Sequence, residues 1–153
     1  MNKRKLAGLV VDALREEFES TLRSSKNTRA AGNDGESKAE GKYDTRSTEE
    51  NYLADGLARQ ARAAAEAADA VEKMPLRDFG AADPIDLSAL MKLSFPGETV
   101  WFFLAPAGGG IEVDLDGEMI TVITPESPLG AQLMGLLAGK STQSPKAKVL
   151  EVR

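Results

Sequence analysis

The chain has 153 residues, enough for one compact domain or two small ones. It contains no His and no Cys, which excludes the usual zinc, haem and iron–sulfur ligands, Ser–His and Cys–His catalytic pairs, and a histidine general base. The net charge of −5, from 19 basic and 24 acidic side chains, argues against autonomous binding to duplex DNA. Any metal chemistry must use carboxylates, which favour hard ions such as Mg²⁺.

The first residues carry basic side chains but no long apolar core. Asp12, Arg15, Glu16 and Glu17 interrupt the apolar residues that follow the basic start. A secretory signal needs an uninterrupted apolar region, and a membrane span needs about 18 apolar residues in a row. We therefore expect a cytoplasmic protein with no membrane partner.

An apolar stripe at steps of three and four residues runs through the start of the chain. Its members are Leu6, Leu9, Val10, Ala13, Leu14, Phe18, Thr21 and Leu22. This spacing predicts one amphipathic helix of about 25–28 residues. The stripe is lost between Gly32 and Thr48, where glycines at 32, 35 and 41 favour a turn or a loose loop.

A second stripe begins at Tyr52 and repeats about every 3.5 residues, which is coiled-coil spacing. Its members are Tyr52, Leu53, Leu57, Gln60, Ala64, Ala67, Val71 and Met74. Ser47 or Thr48, followed by acidic residues, is the expected N-cap of this helix. Two helices of similar length joined by one glycine-containing loop predict an antiparallel hairpin over residues 1–75, with an acidic tip loop near 32–50.

The composition changes near Pro75, which is the first proline in the chain. Residues 76–83 are predicted to form a polar linker and residues 84–153 a β domain. Apolar or alternating runs predict strands over 85–93, 99–104, 111–115, 119–124 and 146–152, and Asp116-Gly117 predicts a hairpin turn between two of them.

A short helix is predicted to follow the fourth strand. Ser127 is the expected N-cap and Pro128 the first helical residue, and the helix should reach about Leu137 and end by Gly139. The whole chain is therefore predicted to be α+β, a helical hairpin followed by a small β domain with one short helix. The run Trp101-Phe102-Phe103 is expected in the β-domain core, although three consecutive residues cannot all face one side of a strand.

Two segments of this sequence resemble the Gre family of bacterial transcript cleavage factors, which includes GreA and GreB. The first is Ile123-Thr-Pro-Glu-Ser127-Pro128-Leu-Gly-Ala-Gln-Leu-Met-Gly-Leu-Leu-Ala-Gly139-Lys140, which is similar to a segment of the family's C-terminal domain. The second runs from Glu36 to Arg46 and on through Glu49-Glu-Asn-Tyr-Leu-Ala54, at the place of the family's acidic tip. The resemblance covers nearly the whole chain and implies an FKBP-like fold for residues 84–153.

The resemblance also implies a function. Gre factors bind RNA polymerase through the C-terminal domain, insert the coiled-coil arm in the secondary channel and stimulate cleavage of backtracked RNA during transcription elongation. The expected partner is thus RNA polymerase, with nascent RNA and DNA contacted only within the elongation complex. Such a factor is not an enzyme itself, because it stimulates the polymerase's intrinsic nuclease activity. It has no cofactor of its own and shares Mg²⁺ with the polymerase active site.

The resemblance assigns roles to individual residues. The tip acids that assist the polymerase Mg²⁺ would be Asp44, Glu49 and Glu40, with Asp44 and Glu49 as metal ligands only in the complex. Contacts to the partner would come from Tyr43, Arg46, Ser127 and Pro128.

Two departures from the family pattern bear on these roles. Cleavage-active members have Asp and Glu three residues apart at the tip, whereas Asp44 has Ser47 at that offset. The carboxylate pair is therefore Asp44 with Glu40 or Glu49, or the chain has no pair of tip carboxylates that works together. The family also has two strands after the Gly-Lys pair, and the residues after Lys140 are too few for both.

Three other functions remain open on the sequence alone. A non-cleaving regulator of the polymerase secondary channel would bind in the same way without supporting cleavage. An FKBP-like isomerase or chaperone belongs to a different class, and the single tryptophan is compatible with such a pocket. A helical-hairpin adaptor module needs no polymerase at all.

Overall fold

A computed structural model describes residues 1–32 and 42–153, with side chains described outside 29–47 and position 50. It contains three helices and five strands in these ranges. They are α1 Lys3–Gly32, α2 Lys42–Lys73, β1 Leu90–Phe95, β2 Glu98–Leu104, β3 Glu112–Leu115, β4 Glu118–Ile123, α3 Pro128–Leu133 and β5 Lys148–Val152. The α+β class, a helix pair followed by a mixed sheet with one short helix, confirms the predicted fold class.

The two long helices run antiparallel. Near the start of α1, Lys3 Nζ donates to the Arg77 carbonyl oxygen just after α2. Near the end of α1, Ser25 Oγ donates to the Ala54 carbonyl oxygen on α2, 2.8 Å away. Positions early in one helix thus meet positions late in the other. α1 has 30 residues and α2 has 32, both longer than predicted.

Contacts divide the chain into two compact units. One comprises Met1–Ala13 with Ala67–Arg153, and the other comprises Leu14–Glu66. The rest of α1 after Ala13 and the part of α2 before Ala67 therefore form one unit. The start of α1 and the end of α2 belong to the unit that contains the sheet. The division of the chain at residue 75 and the linker at 76–83 stay predictions.

The five strands form one sheet in the order β3-β4-β2-β1-β5. β2 and β4 are parallel, and the other neighbours are antiparallel. The β3–β4 hairpin turns at Asp116 and Gly117, both with positive φ, which confirms the predicted turn. β1 begins at Leu90, later than predicted, because Ile85 bonds outside the sheet, its N–H donating to the Leu136 carbonyl oxygen at 2.9 Å.

One face of the sheet packs a compact apolar core. Its buried members are Phe79, Ile85, Ala89, Met91, Leu93, Leu104, Ile123, Leu133, Ala147, Val149 and Val152. Leu133 of α3 belongs to this cluster, and Leu129 and Leu136 pack against it from the same segment. Burial of these side chains holds α3 on the sheet, since fully burying one of them is worth roughly 1.5–3 kcal/mol.

The predicted helix end at Gly139 is wrong, because α3 stops at Leu133. Gly135 adopts φ +83, a left-handed conformation that ends helices and favours glycine. Its N–H donates to the Ile85 carbonyl oxygen at 2.8 Å, and this hydrogen bond directs the chain after α3 toward Ile85 instead of continuing the helix. Beyond α3 the chain forms a single strand, β5, in agreement with the short segment left after Lys140.

No helix within residues 1–32 and 42–153 is long and apolar enough to cross a membrane.

Candidate functional site

The start of α2 carries most of the residues that the resemblance assigns to the tip. α2 begins at Lys42, so Tyr43, Asp44 and Arg46 lie in its first turns and not in a loop. The expected N-cap at Ser47 or Thr48 is wrong, since both residues are inside the helix. Glu40 lies outside the described residues. Helical structure thus extends further toward the connection between the two helices than glycine content and polarity indicated.

Helix geometry restricts which acids can act together. Asp44 and Glu49 lie five residues apart on one continuous helix. Their positions therefore differ by about 140° around the helix axis and about 7.5 Å along it. The positions that share a side with 44 are 47 and 48, occupied by Ser47 and Thr48. The geometry of α2 does not favour chelation of one ion by the pair Asp44 and Glu49.

Glu49 is exposed to solvent. The N-terminal end of a helix carries a partial positive charge, so the start of α2 stabilises a carboxylate and disfavours a free cation. Among the described side chains, no group of three or more acidic residues comes together in a way that could hold a metal ion. The side chains of the tip acids Asp44 and Glu40 lie outside this described set, so the predicted shared Mg²⁺ stays a prediction.

Ser127 and Pro128 build the start of α3. The Ser127 side chain accepts a hydrogen bond from Gly130 N–H at 3.0 Å and donates to the Thr124 carbonyl oxygen at 2.7 Å. Pro128 occupies the first helical position, where its missing N–H needs no partner. The predicted cap is therefore confirmed. These contacts give both residues a role in folding, and their contact with a partner stays a prediction.

Gly130 makes this cap possible. A Cβ atom at Gly130 would overlap the Thr124 carbonyl oxygen and would lie 2.7 Å from Ser127 Oγ. Only glycine allows the turn at Thr124 to approach the helix so closely. The Ser-Pro-x-Gly pattern is thus explained by packing within the domain.

The buried seam of α2 agrees with the predicted one at Ala64, Val71 and Met74 but differs from it nearer the start of the helix. The small residues Ala54, Ala61, Ala64, Ala68 and Val71 are buried. By contrast, Tyr52 is 71% exposed, Leu53 is 58% exposed, and Gln60 is also exposed. The predicted register favoured large side chains, but alanines allow the closer approach that the Ser25–Ala54 hydrogen bond requires.

The seam therefore leaves a second stripe of α2 on the outside. Its members are Glu49, Tyr52, Gly56, Arg59 and Ala63, again at steps of three and four residues. Tyr52, Gly56, Arg59 and Ala63 line a shallow open groove of about 520 Å³, together with Leu53, Leu57 and Gln60. The sequence did not predict this surface, because Tyr52 and Leu53 were both expected in the seam. Positions 52, 56, 59 and 63 of the outer stripe each lie one residue before the predicted seam positions 53, 57, 60 and 64, so both sets have the same spacing.

The aromatic run in β2 divides between the two faces of the sheet. Trp101 and Phe103 are buried, whereas Phe102 is half-buried on the other face, with its ring 6.2 Å from the ring of Phe95. The Lys92 ammonium and the Arg153 guanidinium each lie 5.5 Å from the Trp101 ring. The run belongs to the core, as the alternation of strand residues predicts.

The first turn of α1 holds one buried cation. Lys3 is 9% exposed, donates to the Arg77 carbonyl oxygen and lies 4.8 Å from the centre of the Phe79 ring. Burial lowers the pKa of Lys3 to about 8, opposed by the negative charge of Asp78 and assisted by the positive charge of Arg77. This cluster fastens the start of α1 to the segment that follows α2.

Comparison with known proteins gives weak likenesses. No family model matches the chain, and no curated protein matches it. A crystal structure of GreA factor homolog 1 (Gfh1) of Thermus thermophilus is 17% identical, with a TM-score of 0.37 over 94% of each chain. A structure of the transcription factor Gfh1 is 17% identical, with a TM-score of 0.38 over 95% of this chain and 94% of that one. Likenesses of this strength decide nothing about the function of this chain.

Proposed function

We propose that this chain is a Gre-type regulator of transcription elongation. It binds RNA polymerase, inserts its helix pair in the secondary channel, and presents carboxylates from the start of α2 and the residues before it to the polymerase active site. The chain is no enzyme by itself in this proposal, and it acts in the cytoplasm of a bacterium. Its 84–153 domain would have the FKBP-like fold that the family resemblance implies.

The observation that carries the proposal is the helix pair. α1 and α2 have 30 and 32 residues, which gives each helix a length of about 45–48 Å. On the α2 side, Ala54, Ala61, Ala64 and Ala68 are buried, and such small side chains keep two packed helices narrow. A narrow element with acidic residues next to its connection is suited to enter a channel and to deliver a carboxylate to its end.

The proposed chemistry belongs to the polymerase. A second Mg²⁺ in a two-metal site orients and activates the water that attacks the phosphodiester bond. Asp44, with Glu40 or Glu49, would supply oxygen ligands to that ion in the complex. The positive end of α2 opposes cation binding by the free protein, so the polymerase's own acidic groups must provide most of the charge.

Backtracked elongation complexes supplied with Mg²⁺ test this proposal. The full chain should accelerate RNA cleavage, and the Asp44→Asn variant should reduce the acceleration at least about tenfold, since a lost ligand or charge contact of about 1.4 kcal/mol is a factor of ten. Glu66→Gln removes one exposed charge from the same helix far from its start, and it should change nothing. Full activity of Asp44→Asn together with Glu49→Gln and Glu40→Gln would refute the role of the tip acids.

The position of the acids on α2 favours a second candidate, a non-cleaving regulator of the same channel. Asp44 and Glu49 are separated by about 140° around the helix, and Ser47 stands where a paired acid would share the side of Asp44. In that case the chain binds polymerase without changing the cleavage rate and instead alters nucleotide addition. Unchanged cleavage with retained binding would select this candidate, and loss of polymerase binding would reject both.

A further inference from the structure

The outer stripe of α2 consists of Glu49, Tyr52, Gly56, Arg59 and Ala63. Gly56 is half-buried and the other four are exposed, although one of them is a large aromatic side chain. Tyr52 is 71% exposed, and its neighbour Leu53 is 58% exposed. Gly56 forms a gap one turn further along, where an added Cβ atom would lie 3.8 Å from Arg59 Nη2 and from nothing closer. A projecting ring is thus followed, one turn later, by a gap on the same side of the helix.

The part of this stripe from Glu49 to Arg59 is self-complementary about residue 54. Tyr52 and Gly56 lie two residues on either side of that position, and Glu49 and Arg59 lie five residues on either side. When two identical helices cross antiparallel about a two-fold axis at this level, each residue faces its counterpart across the axis. Each Tyr52 then meets the gap at Gly56, and each Glu49 meets Arg59.

We propose that the occupant of this groove is a second copy of the same chain, and that two copies pair antiparallel through the outer stripe of α2. Each Tyr52 ring fills the groove over the other copy's Gly56 and lies against the Arg59 guanidinium, which favours aromatic faces. Two symmetric Glu49–Arg59 ion pairs flank these rings. The opposite charges of Glu49 and Arg59 set the antiparallel direction, because a parallel pair would place like charges together.

The size of the stripe sets the strength of this association. The symmetric part spans 11 residues, Glu49 to Arg59, which corresponds to about 15 Å of helix. Such a contact belongs to the small interfaces, under about 1,200 Å², which form weak and reversible complexes. We expect a dimer that dissociates in the range of about 10 µM to about 1 mM.

Sedimentation equilibrium of the full chain over this concentration range measures the association directly. The wild-type protein should convert from monomer to dimer, and Glu49→Arg or Arg59→Glu alone should raise the dissociation constant about tenfold by placing like charges opposite each other. The double variant with both reversals should regain the wild-type constant within about threefold. Arg62→Glu is the matched control, since it reverses an exposed charge on another side of α2 and should leave the constant unchanged.

Gly56→Gln separates association from helix stability. Glutamine is a better helix former than glycine by roughly 0.5–1 kcal/mol, a factor of about 2–5 in the folding equilibrium, so far-UV circular dichroism should show equal or greater stability. Its side chain fills the groove that Tyr52 of the second copy would enter, so the dissociation constant should rise at least about tenfold. A monomer at every concentration, a wild-type constant in Gly56→Gln, or a double charge reversal that fails to regain association would each overturn the proposal.

Discussion

Replacement of Gly130 by alanine would place a methyl group in the space that the Thr124 carbonyl group occupies. The new Cβ atom would overlap the carbonyl oxygen, and it would lie 2.8 Å from the carbonyl carbon and 2.7 Å from Ser127 Oγ. The obstruction is backbone and not the end of a flexible side chain. The turn from Thr124 to Ser127 must therefore move away from α3.

Three contributions set the size of the effect. Displacement of Ser127 breaks the cap of α3, which costs about 1 kcal/mol. Forcing extra volume against a fixed backbone costs about 1–3 kcal/mol. Alanine returns up to about 1 kcal/mol as the better helix former. We expect Gly130→Ala to lower the free energy of unfolding by about 1–4 kcal/mol.

Urea unfolding followed by the fluorescence of Trp101, the only tryptophan, measures this change in the unit that contains the sheet. Gly8→Ala is the matched control, because a Cβ atom at Gly8 on α1 would meet nothing within 4 Å. That variant should be stabilised by about 0.5–1 kcal/mol. Equal stabilisation of both variants would refute the close approach at Gly130.

Three further outcomes follow from contacts in the described residues. Lys3→Met removes the buried ammonium. Folded Lys3 loses its proton near pH 8, whereas the unfolded chain keeps it to about pH 10.5, so the stability of the wild type relative to this variant should be constant below pH 8 and rise above it by up to about 3 kcal/mol. Urea titrations at several pH values measure this difference, and a difference that falls with pH would contradict the burial of Lys3. Leu133→Ala should cost about 2–5 kcal/mol by Trp101 fluorescence, because Leu133 is fully buried in the core under α3; a loss below 1 kcal/mol would mean that α3 does not pack there. Gly117→Ala should cost about 1 kcal/mol in the same assay, since Gly117 has φ +89 with open space around it, and a neutral result would contradict the turn geometry.

The strands were predictable because their signals are local. The alternation in 111–115 and the turn at Asp116-Gly117 identified the β3–β4 hairpin within a residue or two. The start of β1 was not predictable from such a pattern, because Ile85 belongs to an apolar run yet bonds to Gly135 and Leu136. Only the tertiary path of the chain after α3 decides that pairing.

The first half of the α2 seam was placed in the wrong register for a physical reason, whereas Ala64, Val71 and Met74 are buried as predicted. Hydrophobic periodicity gives weight to Tyr52 and Leu53, whereas the packed helices select alanines because these allow a shorter distance between the helix axes. The tip could be assigned from the sequence only through the family resemblance. Since α2 already begins at Lys42, the loop expected up to residue 50 gave the acids more conformational freedom than a helix allows.

Equilibrium binding to bacterial RNA polymerase tests the central proposal most directly. A fluorescent label at the N-terminus of the full chain and a titration with core polymerase would report binding by anisotropy. The account predicts saturable binding that an unlabelled GreA protein displaces, because both would occupy the same channel. Absence of saturable binding up to about 100 µM polymerase, or binding that GreA leaves unchanged, would contradict it.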